Sequence, residues 1–209
     1  MPFSFVPGPR VDVPPIPFSE SVELSAARTA LLVIDMQNDF VTAGGSLVCP
    51  TARATVPRIR ALLEAARRAG VRIAYTQDTQ TREDPEFRIW PQHCVQGTWG
   101  WEIIDELKPT RDELVCPKNR YDGFYGTWLD HFLGNVWDVA HLIIVGTVSN
   151  ICVLHTAASA GLRWYALTIP ADGISALTEF DQAATLRQVS WLYNGTIVRS
   201  SEHIRFSTP

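Results

Sequence analysis

Between Thr29 and Asp35 the chain reads TALLVID, and from His141 to Gly146 it reads HLIIVG. Neither run alternates apolar with polar residues, so neither can rest with one face in water. Both fall far short of the ~20 apolar residues that a membrane-spanning helix needs. A short uninterrupted apolar run is the pattern of a strand covered on both faces. Strands of that kind belong to mainly parallel sheets, because parallel neighbours need long crossovers and the crossovers lay helices over each face.

The remaining segments suit such a sheet. VRIAYTQD (Val71–Asp78), DELVCPK (Asp112–Lys118), WYALTIP (Trp164–Pro170) and GTIVRS (Gly195–Ser200) read as four more strands, making six. Helices are expected over Thr55–Gly70, which has helical spacing and a glycine stop, and over Gly126–Trp137, Asn150 to about Ala160, and Glu179–Asn194. GWEIIDELKP suggests a short helix ended by Pro109. The expected fold is therefore α/β: one domain, a mainly parallel six-stranded sheet, helices on both faces, Rossmann-like. Residues 1–25 are proline-rich and aperiodic and read as an N-terminal arm, with residues 26–209 as the domain.

With 209 residues, 46% of them hydrophobic, the chain can bury a full core without staples. A net charge of −4 and the lack of a Lys/Arg cluster argue against nucleic-acid binding. The four cysteines have no CxxC spacing, and the N-terminus has neither a basic start nor an apolar core. They read as free thiols of a cytoplasmic protein with no membrane contact.

In sheets of this class the ligand sits outside the carboxyl ends of the strands. The first strand ends at Asp35, the second at Asp78 and the third at Lys118; the turn GTVSN after the fourth leads to Cys152. Two acids, a cation and a thiol therefore meet at one edge. A thiolate is the nucleophile, and a helix N-terminus or a neighbouring cation lowers a thiol's pKa. Cys152 is placed for both effects, with Lys118 on the same edge. Asp35 is positioned to take the thiol proton and return it to a leaving amine. GTVSN can offer backbone N–H groups to an oxyanion. The expected reaction is acyl transfer from an amide, through a thioester, to water.

LLVIDMQNDFV, PKNRYDGFYGTWLD and IIVGTVSNICVLHTA together resemble the isochorismatase-like cysteine hydrolases, and WPQHCVQGTWG looks most like their nicotinamidase-related branch. The resemblance runs from about Thr29 to Gly195. It implies a triad of Asp35, Lys118 and Cys152, a cis peptide between Thr147 and Val148, and an oxyanion hole from the Val148 and Cys152 N–H groups. It implies a substrate pocket containing Phe40, Trp90 and Tyr125, with Gln37 beside it, and a homo-oligomer acting on a small amide or ureido compound with water. Nicotinamide is the alternative substrate. Isochorismate-type vinyl-ether hydrolysis is the weaker enzyme reading, because those relatives lack the cysteine. A non-catalytic binding relative is weaker again, given the intact triad.

One departure concerns metal. Nicotinamidases of this type carry an Asp-x-His motif after the second strand and two further histidines. Here Asp78 and His93 match, but Gln80 stands where the first histidine would be. Asp84 or Glu86 could supply oxygen donors, yet zinc and iron favour imidazole. The mechanism requires no cofactor, and a divalent zinc or iron ion is the one that the resemblance leaves open.

Several residues have a plainer reading. Cys116 lies inside a strand, Cys94 reads as packing near the site, and Cys49 has no evident role. His155, one turn after Cys152, reads as structural, and Trp99 and Trp101 as packing. A phospho-accepting signalling domain also sets Asp and Lys at strand ends, but VIDMQ lacks the acidic pair that would hold its metal.

Overall fold

The computed structural model describes residues 12–207. The first eleven residues of the proline-rich arm lie outside them. In chain order the strands are β1 (Val22–Ser25), β2 (Thr29–Ile34), β3 (Arg72–Asp78), β4 (Leu114–Lys118), β5 (His141–Thr147), β6 (Ala166–Pro170), β7 (Ile174–Ser175), β8 (Thr196–Val198) and β9 (Ile204–Ser207). The α-helices are α1 (Asn38–Val41), α2 (Ala52–Ala69), α3 (Leu154–Leu162) and α4 (Glu179–Leu192).

All neighbours in the main sheet are parallel, in the order β4-β3-β2-β5-β6-β8, with β7 also paired to β5. The sheet thus has seven strands rather than the expected six, because β7 is a two-residue strand with no periodicity to read. A separate pair, β1 with β9, fastens the end of the arm to the C-terminal segment.

The uniform apolarity of β2 and β5 is explained by the two layers. Leu31, Val33, Ile143 and Val145 pack on the α2 side, with Ile59, Leu62 and Leu63. Leu32, Ile34, Leu142 and Ile144 face Ala157, Ala160, Leu186 and Val189 of α3 and α4. Successive side chains of one strand serve opposite cores. Gly70 closes α2 in the left-handed conformation, with φ 74°. Among the described residues no helix is long and apolar enough to cross a membrane.

Two expected helices are not α-helices. GWEIIDELKP instead carries short 3₁₀ turns, Trp99–Trp101 and Asp105–Leu107, joined by an extended link at Glu102–Ile104. Its backbone bonds go to the loop after β2: Asn38 N–H donates to Glu102 O at 2.9 Å, and Ile104 N–H to Met36 O at 3.0 Å. Pairing with that loop outweighs local helix preference. The Gly126–Trp137 segment forms a π-type turn over His131–Val136, with the helix-weakening Gly134 inside it.

The strand order reverses between β2 and β5, which makes their carboxyl ends the topological switch point. Gly146 sits there opposite Ile34, at φ 122°, and a Cβ would fall 2.1 Å from Ile34 O. Gly146→Ala is expected to cost about 3 kcal/mol, since neither the backbone conformation nor the strand spacing admits a side chain. Thermal denaturation of the variant checks this, and an unchanged midpoint would contradict it.

Candidate active site

The four strand-end residues do converge. Asp35 follows β2 directly, Asp78 ends β3, Lys118 ends β4, and Cys152 lies in the π-type turn Ser149–Val153 between β5 and α3. Lys118 Nζ is 2.7 Å from Asp35 Oδ2, 3.4 Å from Asp78 Oδ1 and 3.7 Å from Cys152 Sγ. Both side chains of the Lys118–Asp35 pair are wholly buried.

Asp35 is held at φ 48°, a region that Asp tolerates better than most residues, and Gln37 N–H closes the turn onto Asp35 O at 2.7 Å. Its Oδ1 accepts from Thr76 Oγ1 at 2.7 Å. Its Oδ2 is paired with Lys118 at 2.7 Å, and the second lone pair of that oxygen can still accept a proton. Gln37 does not line the cavity but ties strand ends together. Its amide donates to Asp78 O and Trp101 O, each at 2.8 Å, and its carbonyl accepts from Asp78 N–H at 2.7 Å.

Electrostatics modify one expectation. Burial pushes the Cys152 thiol well above its usual range; Lys118 opposes that, while Asp35 and Asp78 add to it. Burial therefore favours the neutral thiol, against the lowering expected from the helix start and the neighbouring cation. Burial also raises the Asp35 carboxyl, outweighing Lys118, and so makes it a stronger base. For Asp78 burial acts upward too, but Lys118 and His93 outweigh it and hold that carboxyl low. Burial opposes the Lys118 charge, yet Asp35 and Asp78 raise its pKa well above the usual range.

Because the Thr76 hydrogen bond lowers the Asp35 pKa, Thr76→Val is expected to raise it. Activity that needs ionised Asp35 falls as pH drops through that pKa, so the acid limb of kcat/KM should move to higher pH in the variant. A pH–rate profile of both proteins tests this, with an unmoved limb as the contrary result.

Above the thiol lies a cavity of about 60 Å³. This is small beside the roughly 300–1,000 Å³ of pockets for drug-sized ligands, and it restricts the occupant to a compact molecule. Phe40, Trp90, Leu47, Val48, Ile151 and Leu177 supply its apolar wall, and Thr147, Val148 and Cys152 its floor. The peptide between Thr147 and Val148 is cis. Tyr125 was expected in the wall but is 67% exposed and lies outside it. Tyr121 is there instead, fixed by the Trp90 indole N–H donating to its hydroxyl at 2.9 Å.

The polar end is formed by Asp78, His93 and Glu86. His93 Nδ1 is 2.7 Å from Pro91 O, and Nε2 is 3.3 Å from Asp78 Oδ2. A carbonyl and a carboxylate can only accept, so both ring nitrogens carry protons. Burial works against that charge, but the bonds to Asp78 and Pro91 outweigh it and raise the His93 pKa. This donor set does not fit a zinc or iron ion. Gln80, in place of a histidine, donates to Asp78 Oδ1 at 3.0 Å, and the Lys118 ammonium faces the same oxygen. Only one imidazole is at hand, and among the described residues no three His, Cys, Asp or Glu side chains converge as a metal-holding group. Asp84 is outside the cavity wall and accepts from Glu86 N–H at 2.9 Å and from Arg120 at 3.2 Å.

The other singled-out residues have structural contacts. All four cysteines are buried and unpaired. Cys94 N–H donates to Asp39 Oδ2 at 2.7 Å. Asp39, which sequence reasoning passed over, also accepts from Ser46 N–H at 2.9 Å and so ties two loops together. His155 bonds Ile151 O at 2.7 Å and packs against Tyr121. Thr76 was overlooked as well, although it precedes Asp78 by two residues in a strand and so shares its face.

A family model for the isochorismatase domain matches residues 29–202. The ureidoacrylate amidohydrolase of Rhizobium rhizogenes is 32% identical over 162 residues, covering 64% of this chain; the match spans 65% of that relative's length. Among solved structures, N-carbamoylsarcosine amidase from Thermoplasma acidophilum is 35% identical with a TM-score of 0.75, over 82% of this chain and 96% of that one. Nicotinamidase/pyrazinamidase from Bacillus subtilis is 27% identical with a TM-score of 0.78, over 82% of this chain and 100% of that one.

Proposed function

Since the chain belongs to the isochorismatase domain family, we propose that it is a cysteine-dependent amidohydrolase cleaving the C–N bond of a small amide or ureido compound. The observation that carries the reading is the buried Lys118 ammonium, 2.7 Å from Asp35 and 3.7 Å from the Cys152 thiol, beneath a compact cavity. The names of the relatives, an amidohydrolase and two amidases, agree with it.

In the proposed cycle Asp35 takes the Cys152 proton as the sulfur attacks the carbonyl carbon. The carbonyl π pair moves onto oxygen, where the Val148 and Cys152 N–H groups hold it. Collapse of that adduct breaks the C–N bond, and Asp35 returns the proton to the departing ammonia or amine. Water then gives a proton to Asp35 and attacks the thioester; the C–S bond breaks, and the sulfur recovers the proton as the acid leaves. Lys118 keeps the carboxylate in place and compensates its charge in both halves. No cofactor enters any step.

Alternating charge transfer inside a buried site also explains why the thiol need not be ionised at rest. Substrate excludes water, and the proton moves only when the sulfur attacks. The wider reading keeps a cytoplasmic homo-oligomer, with exposed Trp164, Trp191 and Phe180 as candidates for subunit contact. Static light scattering giving about the 23.3 kDa of one chain would exclude the oligomer.

The test is ammonia release from nicotinamide, ureidoacrylate, biuret, N-carbamoyl amino acids and benzamide, with acid-quenched enzyme weighed by intact mass spectrometry. Turnover of at least one compound, with an acyl adduct mapped to Cys152, is the expected result. Turnover that leaves no adduct and persists in Cys152→Ala would overturn the nucleophile.

A further inference from the structure

Glu86 lines the cavity with a side chain only 7% exposed, yet it accepts no hydrogen bond from the described residues. Its nearest cations, His93 Nε2 and Arg120 Nη1, are each 3.8 Å away, beyond hydrogen-bond range. Both are engaged elsewhere. His93 bonds Pro91 O and faces Asp78, while Arg120 bonds Asp84 and Asn119 O. The carboxylate is also the far end of a chain of contacts leading from the nucleophile: Cys152 to Lys118 at 3.7 Å, Lys118 to Asp78 at 3.4 Å, Asp78 to His93 at 3.3 Å, and His93 to Glu86 at 3.8 Å.

A buried carboxylate with open lone pairs is costly until a donor meets it. Burial and then Asp78 push its pKa upward, which is the expected mark of a carboxylate lacking donors. Beyond Asp78 and His93, which are paired with each other, the wall is mostly apolar, and no Lys or Arg among the described residues lines the cavity. A ligand N–H or ammonium group would satisfy Glu86. A ligand carboxylate would meet Glu86 and Asp78 with no free cation to receive it.

We propose that Glu86 is a specificity residue that selects compact amides carrying an N–H donor or ammonium group away from the scissile carbonyl, and excludes amides bearing a carboxylate there. This assignment of substrate class rests on the amidohydrolase reading. It separates this chain from an enzyme for ureidoacrylate, which is an anion, although a relative bears that name.

The test measures calorimetric binding to Cys152→Ala at neutral pH of benzamide, its meta-aminomethyl derivative and its meta-carboxylate. The aminomethyl compound is expected to bind about tenfold or more tighter than the carboxylate, as opposite against like charge in a desolvated site predicts. Glu86→Gln in the same background should shrink that ratio to about threefold or less, because the neutral amide no longer discriminates by charge. Equal or tighter binding of the carboxylate, a ratio unmoved by Glu86→Gln in a variant with native circular dichroism, or binding by none of the three overturns the proposal. The first ratio needs no change at Glu86, so it does not depend on how that variant folds. Failure of the amidohydrolase reading is a separate result, seen as wild-type turnover without Cys152 dependence.

Discussion

Cys152→Ser is expected to lower kcat/KM by about 10⁴-fold or more while leaving the fold intact, since a hydroxyl is a far weaker nucleophile than a thiol at the same site. Burial raises the Asp35 pKa and so makes its carboxylate a stronger base toward the buried thiol. A serine hydroxyl lies several pKa units further away. Asp35→Asn should cost a similar factor, because the amide can neither take the thiol proton nor return it to the leaving group. The double variant should lose little more than either single one, as residues acting as a unit are grossly non-additive. Initial rates of ammonia release, with circular dichroism on each variant, measure all three. If Asp35→Asn kept activity within about tenfold of wild type, proton transfer would have to be assigned elsewhere.

Lys118→Met is expected to destabilise the protein by about 3–5 kcal/mol, as removing one partner of a buried ion pair leaves its opposite charge uncompensated. Here two carboxylates are affected, because Asp35 and Asp78 both rely on this ammonium. The pH dependence follows from the directions of the shifts. In the wild type the Asp78 pKa is lowered, so its contribution to stability is full above the unfolded pKa and is lost as pH falls through the folded one. Without Lys118, burial governs both carboxyls and raises them, so the folded variant takes up protons more readily than its unfolded chain. The deficit should therefore be largest near neutral pH and narrow as the solution is acidified toward the ordinary carboxylate range. Urea denaturation across that range tests the trend. Adding Asp35→Asn to Lys118→Met should recover part of the stability and none of the activity. A deficit independent of pH would mean that lost packing, rather than unpaired charge, causes the instability.

These two outcomes separate roles that one residue combines. Lys118 makes it affordable to bury Asp35 in an ionised form, and the same burial makes Asp35 a competent base. Stability and chemistry are coupled through the same 2.7 Å contact.

The apolar runs at β2 and β5 marked strands covered on both faces, and the alternation of strands with helices along the chain implied a mainly parallel sheet. The sheet rule then brought Asp35, Asp78, Lys118 and Cys152 to one edge, because each stands where a strand or its following turn ends. Those features are local in the chain, and local patterning records them. The extended course of Glu102–Ile104 was not legible, because its backbone partners are Met36 and Asn38, far away in sequence. For the same reason Tyr121 and not Tyr125 lies in the cavity wall: Trp90, on another loop, determines which tyrosine is held. The protonated state of Cys152 depended on total burial and on the sum of three neighbouring charges, which strand ends alone do not reveal. Glu86 was visible only as an oxygen donor. That its carboxylate meets the cavity without a hydrogen-bond donor, its cations standing 3.8 Å off, was decided by the tertiary structure, which commits His93 to Asp78 and Pro91 and commits Arg120 to Asp84.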